Sequence, residues 1–257
     1  MTFESPDTEA PAGRPARPIA VVLERMQQVL DAVPAGRSHR RFFAGTYLRT
    51  TRAVGDAVDQ AFFEDPDWVE RWDAAFADLY LAAAADEVNA PRPWRLAFAA
   101  PAELSQLRHV LLGINAHINY DLPQALLRVI SDADFTDPVL VDRRRRDHER
   151  IDGVLSSRVA AEDDELSTLS AKSALDRVLT PLNRAASTRF LREARTKVWH
   201  NAAELQRARV AGPGPYAVRL AELEVLSAAR IADLLAPGQV LLRLAVAGFG
   251  VVLPPAG

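Results

Sequence analysis

The stretch LRHVLLGINAHINYDLP, residues 107–123, decides the fold of this chain. Its apolar residues recur every three or four positions, a spacing that places them on one face of an α-helix. On a helical wheel centred on Ile114, His117 and Asp121 lie on this apolar face, whereas His109 lies on nearly the opposite side. The stretch therefore predicts a core-facing helix with two polar side chains on its buried face. Polar groups are costly there unless they are paired or coordinate an ion.

The same periodicity continues along most of the chain, broken by proline and glycine, and predicts an all-α protein. We expect a disordered tail at residues 1–17 and a single multi-helix, bundle-like domain over 18–257. Pro123 should kink or interrupt the central helix, because proline lacks the N–H that the helix needs as a donor. The acidic stretch 161–165 should link two helices. The apolar residues 240–253 are too few to span a membrane.

The composition excludes several classes of function. The chain has 257 residues, no cysteine and a formal net charge of -3. The lack of cysteine excludes disulfides, thiolate metal sites and cysteine nucleophiles. The slightly negative charge gives no electrostatic reason to expect nucleic acid or an anionic membrane as a partner. Met1–Arg17 contains no apolar run and does not resemble a secretory signal, so we expect a soluble, cytoplasmic protein.

His117 and Asp121 are candidate metal ligands. Side chains at positions i and i+4 lie on one helix face and can converge on one ion. An imidazole and a carboxylate together suit a divalent metal such as zinc. A later segment carries Asp147 and His148 on the apolar face of its helix, with Asp152 beside them. We predict that these residues complete the site if the two helices pack side by side.

Other roles remain open for these residues. His117 and Asp121 could form a structural polar network with neighbouring helices, or they could act in acid–base chemistry without a metal. The acidic residues of the later segment could equally pair with the arginines at 143–146 on a solvated face. His200 and Glu204 repeat the four-residue spacing but lie off the apolar face of their helix, which indicates a surface pair.

Hydroxyl groups on a second helix indicate a pocket. Tyr47, Thr50 and Thr51 share the apolar face of a helix predicted over residues 40–63, where they could surround a small-molecule ligand. The threonines could instead bond to backbone carbonyls one turn earlier. His39 shows no feature of a ligand. The candidate pocket residues are Tyr47, Thr50, Asn115, Asn119 and Tyr120.

Several common catalytic signatures are absent from the sequence. It contains no Walker loop, no G-x-G-x-x-G after a strand, no H-E-x-x-H and no G-x-S-x-G. The aromatic residues recur at helical spacing with few basic residues between them, which is typical of a core and not of a base-stacking surface. These absences argue against nucleotide-dependent, Rossmann and classical serine-hydrolase functions.

Several segments together resemble a known bacterial family. FFAGTYLRTT at 42–51, DPDWVE at 65–70, WRLAF at 94–98 and the stretch 111–123 carry the likeness, and NAHINYDLP at 115–123 is its most specific part. The family is common in actinobacteria, is described as domain of unknown function 5995, and is similar over about residues 18–210. Asparagine is expected in the family where this chain has Asp152. No activity is assigned to the family, so the resemblance implies the extent of the domain but no reaction.

The sequence leaves two functions open. In the first, the protein is a metal-dependent hydrolase in which His117 and Asp121, with Asp147 or His148, hold a metal that activates water. This function requires three or more ligand atoms to converge. In the second, the protein is a non-catalytic helical binding or scaffold protein in which the His117–Asp121 pair is structural.

Overall fold

Helices make up all of the regular structure in the part of the chain that is described. The computed structural model describes residues 16–169 and 196–236, with the backbone only at residues 107, 152 and 155–169. No strand occurs within these ranges, which confirms the predicted all-α class. The helices are α1 (Pro18–Asp31), α2 (Arg40–Asp59), α3 (Pro66–Ala85), α4 (Arg92–Phe98), α5 (Gln106–Ala116), α6 (Leu122–Val129), α7 (Pro138–Leu169), α8 (196–211) and α9 (Pro213–Leu235).

Two of the helices that build the site begin at capping side chains. The Asp65 carboxylate accepts a hydrogen bond from the backbone N–H of Trp68 at 3.0 Å, and Pro66 occupies the first position of α3. The Ser105 hydroxyl accepts from the N–H of Arg108 at 3.4 Å at the start of α5. Such caps satisfy N–H groups that have no partner within the helix. Local sequence therefore determines where α3 and α5 begin.

Helix α3 carries four large aromatic side chains of the core. Trp68, Trp72, Phe76 and Tyr80 follow one another at four-residue spacing and are all buried. The rings of Trp68 and Trp72 stack with an interplanar angle of 7°, and those of Trp72 and Phe76 with one of 8°. Helices α1 and α6 pack against α3. Burial of such large apolar rings is a dominant stabilising contribution.

The central helix widens before Pro123 instead of ending there. Residues His117–Asp121 form one turn of π-helix between α5 and α6, and the N–H of Leu122 bonds to the carbonyl of His117, five residues earlier. Pro123 follows within the first turn of α6, where no N–H donor is needed. The predicted interruption thus takes the form of a π turn, an insertion that is frequent at functional sites.

Other boundaries differ from the prediction. Residues 161–165 belong to α7 and do not link two helices, because their Ala, Glu and Asp residues contain no helix breaker. Arg17, assigned to the tail, pairs with Glu70 and Asp59. Residues 1–15 of the predicted tail and the apolar residues 240–253 lie outside the described residues. No helix in the described part is long and apolar enough to cross a membrane.

Candidate functional site

The π turn holds His117 and Asp121 together inside the protein. The two residues are 3% and 1% exposed, and His117 Nδ1 lies 2.9 Å from Asp121 Oδ2. A carboxylate only accepts hydrogen bonds, so the proton of this contact is assigned to Nδ1. His117 Nε2 is then unprotonated, and it has no hydrogen-bond partner among the described residues.

Asp121 links the π turn to helix α4. The same Oδ2 atom accepts a hydrogen bond from Trp94 Nε1 at 2.8 Å. Burial raises the pKa of Asp121, while the bonds from His117 and Trp94 oppose that rise. Burial lowers the pKa of His117, although Asp121 acts in the opposite direction. The imidazole is therefore neutral at pH 7.

Aromatic rings enclose the His117 imidazole. The Phe76 ring stacks on it at a centroid distance of 3.5 Å and an angle of 6°, and the Tyr47 ring meets it edge-on at 4.4 Å. Three further rings lie at about 6 Å, those of Phe43, Tyr80 and Trp94. This apolar shell removes the pair from water, which makes its internal hydrogen bonds decisive for its stability.

Three of these rings also line a pocket. Its volume is about 250 Å³. Its lining is mostly apolar, and its polar groups include an imidazole pair, one arginine, one glutamate and one tyrosine hydroxyl. The lining consists of Val29, Ala32, Val33, Pro34, His39, Arg40, Phe43, Tyr80, Ala84, Ala85, Glu87, Trp94, Ala97, Phe98, His109 and Gly113. Phe43, Tyr80 and Trp94 therefore line the pocket and also lie against the His117 ring, which itself does not line the pocket.

Gly113 permits the close approach of helices α2 and α5 beside the pocket. A Cβ atom at this position would lie 2.3 Å from the Cγ and Cδ2 atoms of Phe43. Real side chains do not approach so closely, so any larger residue would displace the Phe43 ring. The glycine thus positions one wall of the pocket.

Comparison with known proteins agrees with the resemblance in the sequence. Residues 19–237 match the family of unknown function DUF5995. The chain belongs to the DUF5995 family. The match reaches past residue 210 and includes α9. Searches of curated proteins and of solved structures found no match. An actinobacterial origin stays a prediction.

In this DUF5995 chain, Asp147 and His148 lie away from His117. The two carboxylate oxygens of Asp147 accept hydrogen bonds from the backbone N–H groups of Glu64 and Asp65, at 2.7 and 2.8 Å. These bonds fasten α7 to the loop before α3. Asp147 thereby has a structural contact of its own, which the sequence did not predict.

His148 has aromatic partners. Its Nδ1 accepts a hydrogen bond from Trp199 Nε1 at 2.9 Å, and its ring meets that of Trp72 edge-on at 5.2 Å. Trp72 stacks on Phe76, which in turn stacks on His117. Stacked aromatic rings thus connect the two histidines, and no metal-binding group of the described residues contains both of them.

The described residues do not supply a metal-binding group. Within 16–169 and 196–236, no three or more His, Asp or Glu side chains are placed to hold an ion. The side chain of Asp152 lies outside the described residues. His200 Nε2 is 3.9 Å from Glu204 Oε1, and its side chain is 67% exposed. This pair lies on the surface, as its position on the wheel indicated.

Most of the predicted pocket residues bond within their own helix. Thr50 donates to the carbonyl of Thr46 at 2.9 Å, which is the backbone bond that the sequence left as the alternative. Asn115 donates to the carbonyl of Leu111 at 2.8 Å, and Asn119 donates to Asn115 Oδ1 at 3.2 Å. The remaining two candidates, Tyr120 in the core and Tyr47 beside His117, are buried.

The structure buries two further polar residues that the sequence did not single out. His109, expected on the solvent side of its helix, is 5% exposed and its ring lies 4.8 Å from that of His39. A wheel assumes one buried face, whereas α5 packs against α2, α4 and α9. Asp73 is also buried on α3, and its Oδ2 has no partner among the described residues. Asp73 precedes Phe76, Ala77 and Tyr80 by three, four and seven residues, so a helical wheel of α3 places it on the apolar face.

Proposed function

We propose that this DUF5995 protein binds a small, mainly apolar molecule in the pocket formed by α1 to α5. The observation that carries the proposal is the pocket itself, with a volume of about 250 Å³ and a mostly apolar lining. An apolar cavity of about 150 Å³ is sufficient to bind benzene. The pocket therefore has room for a molecule larger than benzene, although it is smaller than most drug-sized sites.

The His117–Asp121 pair has a positioning role in this function. Trp94 forms part of the pocket wall, and its Nε1 bonds to Asp121. Asp121 is in turn bonded to His117. Because the indole can rotate little while this bond is made, the pair maintains the shape of the wall. The function corresponds to the binding protein that the sequence left open.

The metal-dependent hydrolase has less support. His117 Nε2 offers one unpartnered ligand atom, but Asp121 Oδ2 already accepts two hydrogen bonds. No third imidazole or carboxylate of the described residues joins them in a metal-binding group. Metal-dependent chemistry at this site stays a prediction from the sequence.

Metal analysis separates these two functions. The untagged wild type and His117→Ala are dialysed against a mild chelator and examined for zinc, iron and manganese. For the binding protein, we expect equal metal contents and a His117→Ala variant that only unfolds at a lower temperature. Near-stoichiometric metal in the wild type that is lost in His117→Ala would establish the hydrolase function instead.

A pocket-filling variant tests the binding function directly. Titration of the wild type with 1-octanol in a calorimeter should give saturable binding, because the alkyl chain leaves water for the apolar lining. Ala84→Phe places a ring in the pocket and should abolish this binding. Ala82→Phe is the matched control, since Ala82 is exposed on the same helix and does not line the pocket.

The outcomes are distinct. Binding by the wild type and Ala82→Phe, but not by Ala84→Phe, supports the proposal. Absence of binding by the wild type across alcohols and carboxylic acids of six to ten carbons, or equal binding by both variants, would overturn it. Thermal unfolding of all three proteins verifies that the variants are folded.

A further inference from the structure

One end of the pocket carries polar atoms that lack partners. His39 Nε2, His109 Nε2 and Arg40 Nε are buried and make no hydrogen bond with the described residues. All three residues line the pocket. Buried donors and acceptors are nearly always satisfied, by protein, by water or by a ligand. These three atoms therefore mark a place where a polar group of a ligand can be bound.

The other groups of Arg40 are already occupied. Its Nη1 pairs with Glu87, and its Nη2 donates to the carbonyl of Phe98 at 3.2 Å. The guanidinium also lies over the Phe98 ring, 4.9 Å from the ring centroid. These contacts hold the arginine in place and leave Nε as its unpartnered donor. Little conformational freedom would be lost when a ligand binds there.

Positive charge surrounds this end of the pocket. A second, more open cavity of about 450 Å³ shares His39, Arg40, Glu87 and Phe98 with the pocket. Arg37 and Arg95 also line it. Its charged lining thus comprises three arginines and a single glutamate, and Glu87 is shared between Arg37 and Arg40. Clefts that carry one sign of charge attract ligands of the opposite sign.

The two histidines add no charge to this end at pH 7. Burial, followed by the Arg40 charge, lowers the pKa of His39. Burial, followed by His39, lowers the pKa of His109. The positive charge therefore comes from arginine, and each imidazole offers a hydrogen-bonding atom to the ligand.

We propose that the ligand carries an anionic head group, such as a carboxylate, which pairs with Arg40 beside the His39 and His109 rings while its apolar body fills the pocket. This inference rests on the proposed binding function and specifies the chemical class of its ligand. An apolar lining with one cationic end matches a medium-chain carboxylic acid. A charge-assisted hydrogen bond from arginine to carboxylate is stronger than a bond between neutral groups.

Probes that differ only in the head group test the inference. Octanoate, 1-octanol and octylammonium are titrated into the wild type by calorimetry at pH 7.5. We expect octanoate to bind at least about tenfold more tightly than 1-octanol, a factor equal to about 1.4 kcal/mol. Octylammonium should bind most weakly, since it would face the arginines. Added salt should weaken octanoate binding and leave 1-octanol binding unchanged.

Arginine variants then locate the head group. Arg40→Met keeps the apolar stem and should reduce the preference for octanoate to about twofold or less. Arg41→Met is the matched control, because Arg41 is exposed, neighbours Arg40 on α2 and does not line the pocket. Arg95→Met provides a second test that leaves the Arg40 contacts intact, and it should lower the affinity for octanoate without changing that for 1-octanol.

The failures of the two proposals can be told apart. If no probe binds to the wild type, the binding function itself is wrong. If octanoate and 1-octanol bind equally, or octylammonium binds most tightly, the pocket is real but the anionic head group is wrong. The same conclusion follows if Arg40→Met and Arg95→Met are folded and both retain the full preference for octanoate.

Discussion

At the scale of single residues, Asp121 connects two parts of the candidate site through hydrogen bonds. One of its oxygens joins the imidazole of His117 to the indole of Trp94, so that a single carboxylate fastens the π turn to α4. The residue is 1% exposed. Loss of this acceptor would leave two buried N–H donors without partners, which costs more than the bonds themselves contribute.

Removal of the carboxylate should therefore be strongly destabilising. We expect Asp121→Ala to lower the free energy of unfolding by about 3 kcal/mol. Urea denaturation followed by circular dichroism measures the change. Trp94 should also lose its fixed environment, which tryptophan fluorescence detects.

The surface pair His200–Glu204 provides a matched control. It also places a carboxylate four residues after a histidine, but the His200 side chain is 67% exposed and that of Glu204 is only half-buried. Glu204→Ala should have a much smaller effect, because exposed ion pairs contribute little. Equal losses in Asp121→Ala and Glu204→Ala would show that the buried network does not stabilise the fold.

At the scale of elements, contacts between helices determine which side chains fit at each helical position. Gly113 and Gly153 both lie in helices, yet their surroundings differ. A Cβ atom at Gly113 would meet the Phe43 ring at 2.3 Å, whereas one at Gly153 would lie 3.7 Å from Phe62, an ordinary contact. Helix propensity favours alanine at both positions. Of these two positions, only Gly113 has a neighbouring ring, that of Phe43, that makes glycine more favourable than alanine.

Alanine substitutions at these glycines should have opposite effects. We expect Gly113→Ala to destabilise the protein by about 1 to 3 kcal/mol, because Phe43 must move in a filled core. Gly153→Ala should stabilise it by about 0.5 to 1 kcal/mol through the backbone. Urea denaturation of both variants gives the comparison. A gain in stability for Gly113→Ala would show that α2 and α5 are packed less tightly than the structure indicates.

The π turn is the element in which sequence and packing act together. Pro123 cannot donate a hydrogen bond to the preceding turn, so some adjustment of the helix is required there. The bond from Leu122 to the carbonyl of His117 provides that adjustment within five residues. It also sets the positions of His117 and Asp121 relative to α4. The sequence predicted a disruption near Pro123, but only the surrounding helices select a π turn.

At the scale of the whole molecule, the interior holds more polar groups than its bonds satisfy. Asp73 is the clearest case, since its Oδ2 atom is buried without a partner among the described residues. Burial, with the charge of Glu70 as a smaller cause, raises the pKa of Asp73 from 3.8 to about 7. The folded protein thus holds a proton that the unfolded chain releases near pH 4.

This shift makes the global stability depend on pH. The folded state binds more protons than the unfolded state between pH 4 and pH 7, so the contribution of Asp73 becomes less favourable as the pH rises through that range. Asp73→Asn removes the titration. The free energy of unfolding of Asp73→Asn should therefore increase relative to that of the wild type between pH 5 and pH 8. The increase should be about 3 kcal/mol at most.

Urea denaturation of both proteins at pH 5 and pH 8 measures the difference. Other carboxylates titrate in both proteins, so the comparison isolates Asp73. A stability difference that is the same at both pH values would contradict the raised pKa.

The candidate site shows where sequence reasoning succeeds. The four-residue spacing of His117 and Asp121 and their place on an apolar stripe predicted that the two side chains face inward, and the structure has them in contact. The all-α class of the described residues and the family also followed from the sequence. Each of these features depends on a repeat or motif within a short stretch of chain.

Other features depended on which helices pack together. Asp147 and His148 lie on an inward face, as predicted, but they bind the loop before α3 and Trp199 instead of meeting His117. His39 and His109 come together in the pocket although nothing in the sequence linked them. Helical periodicity determines which face of an element is buried, because backbone geometry is local. It does not determine the neighbour across that face, because that choice depends on how all the side chains fill the interior together.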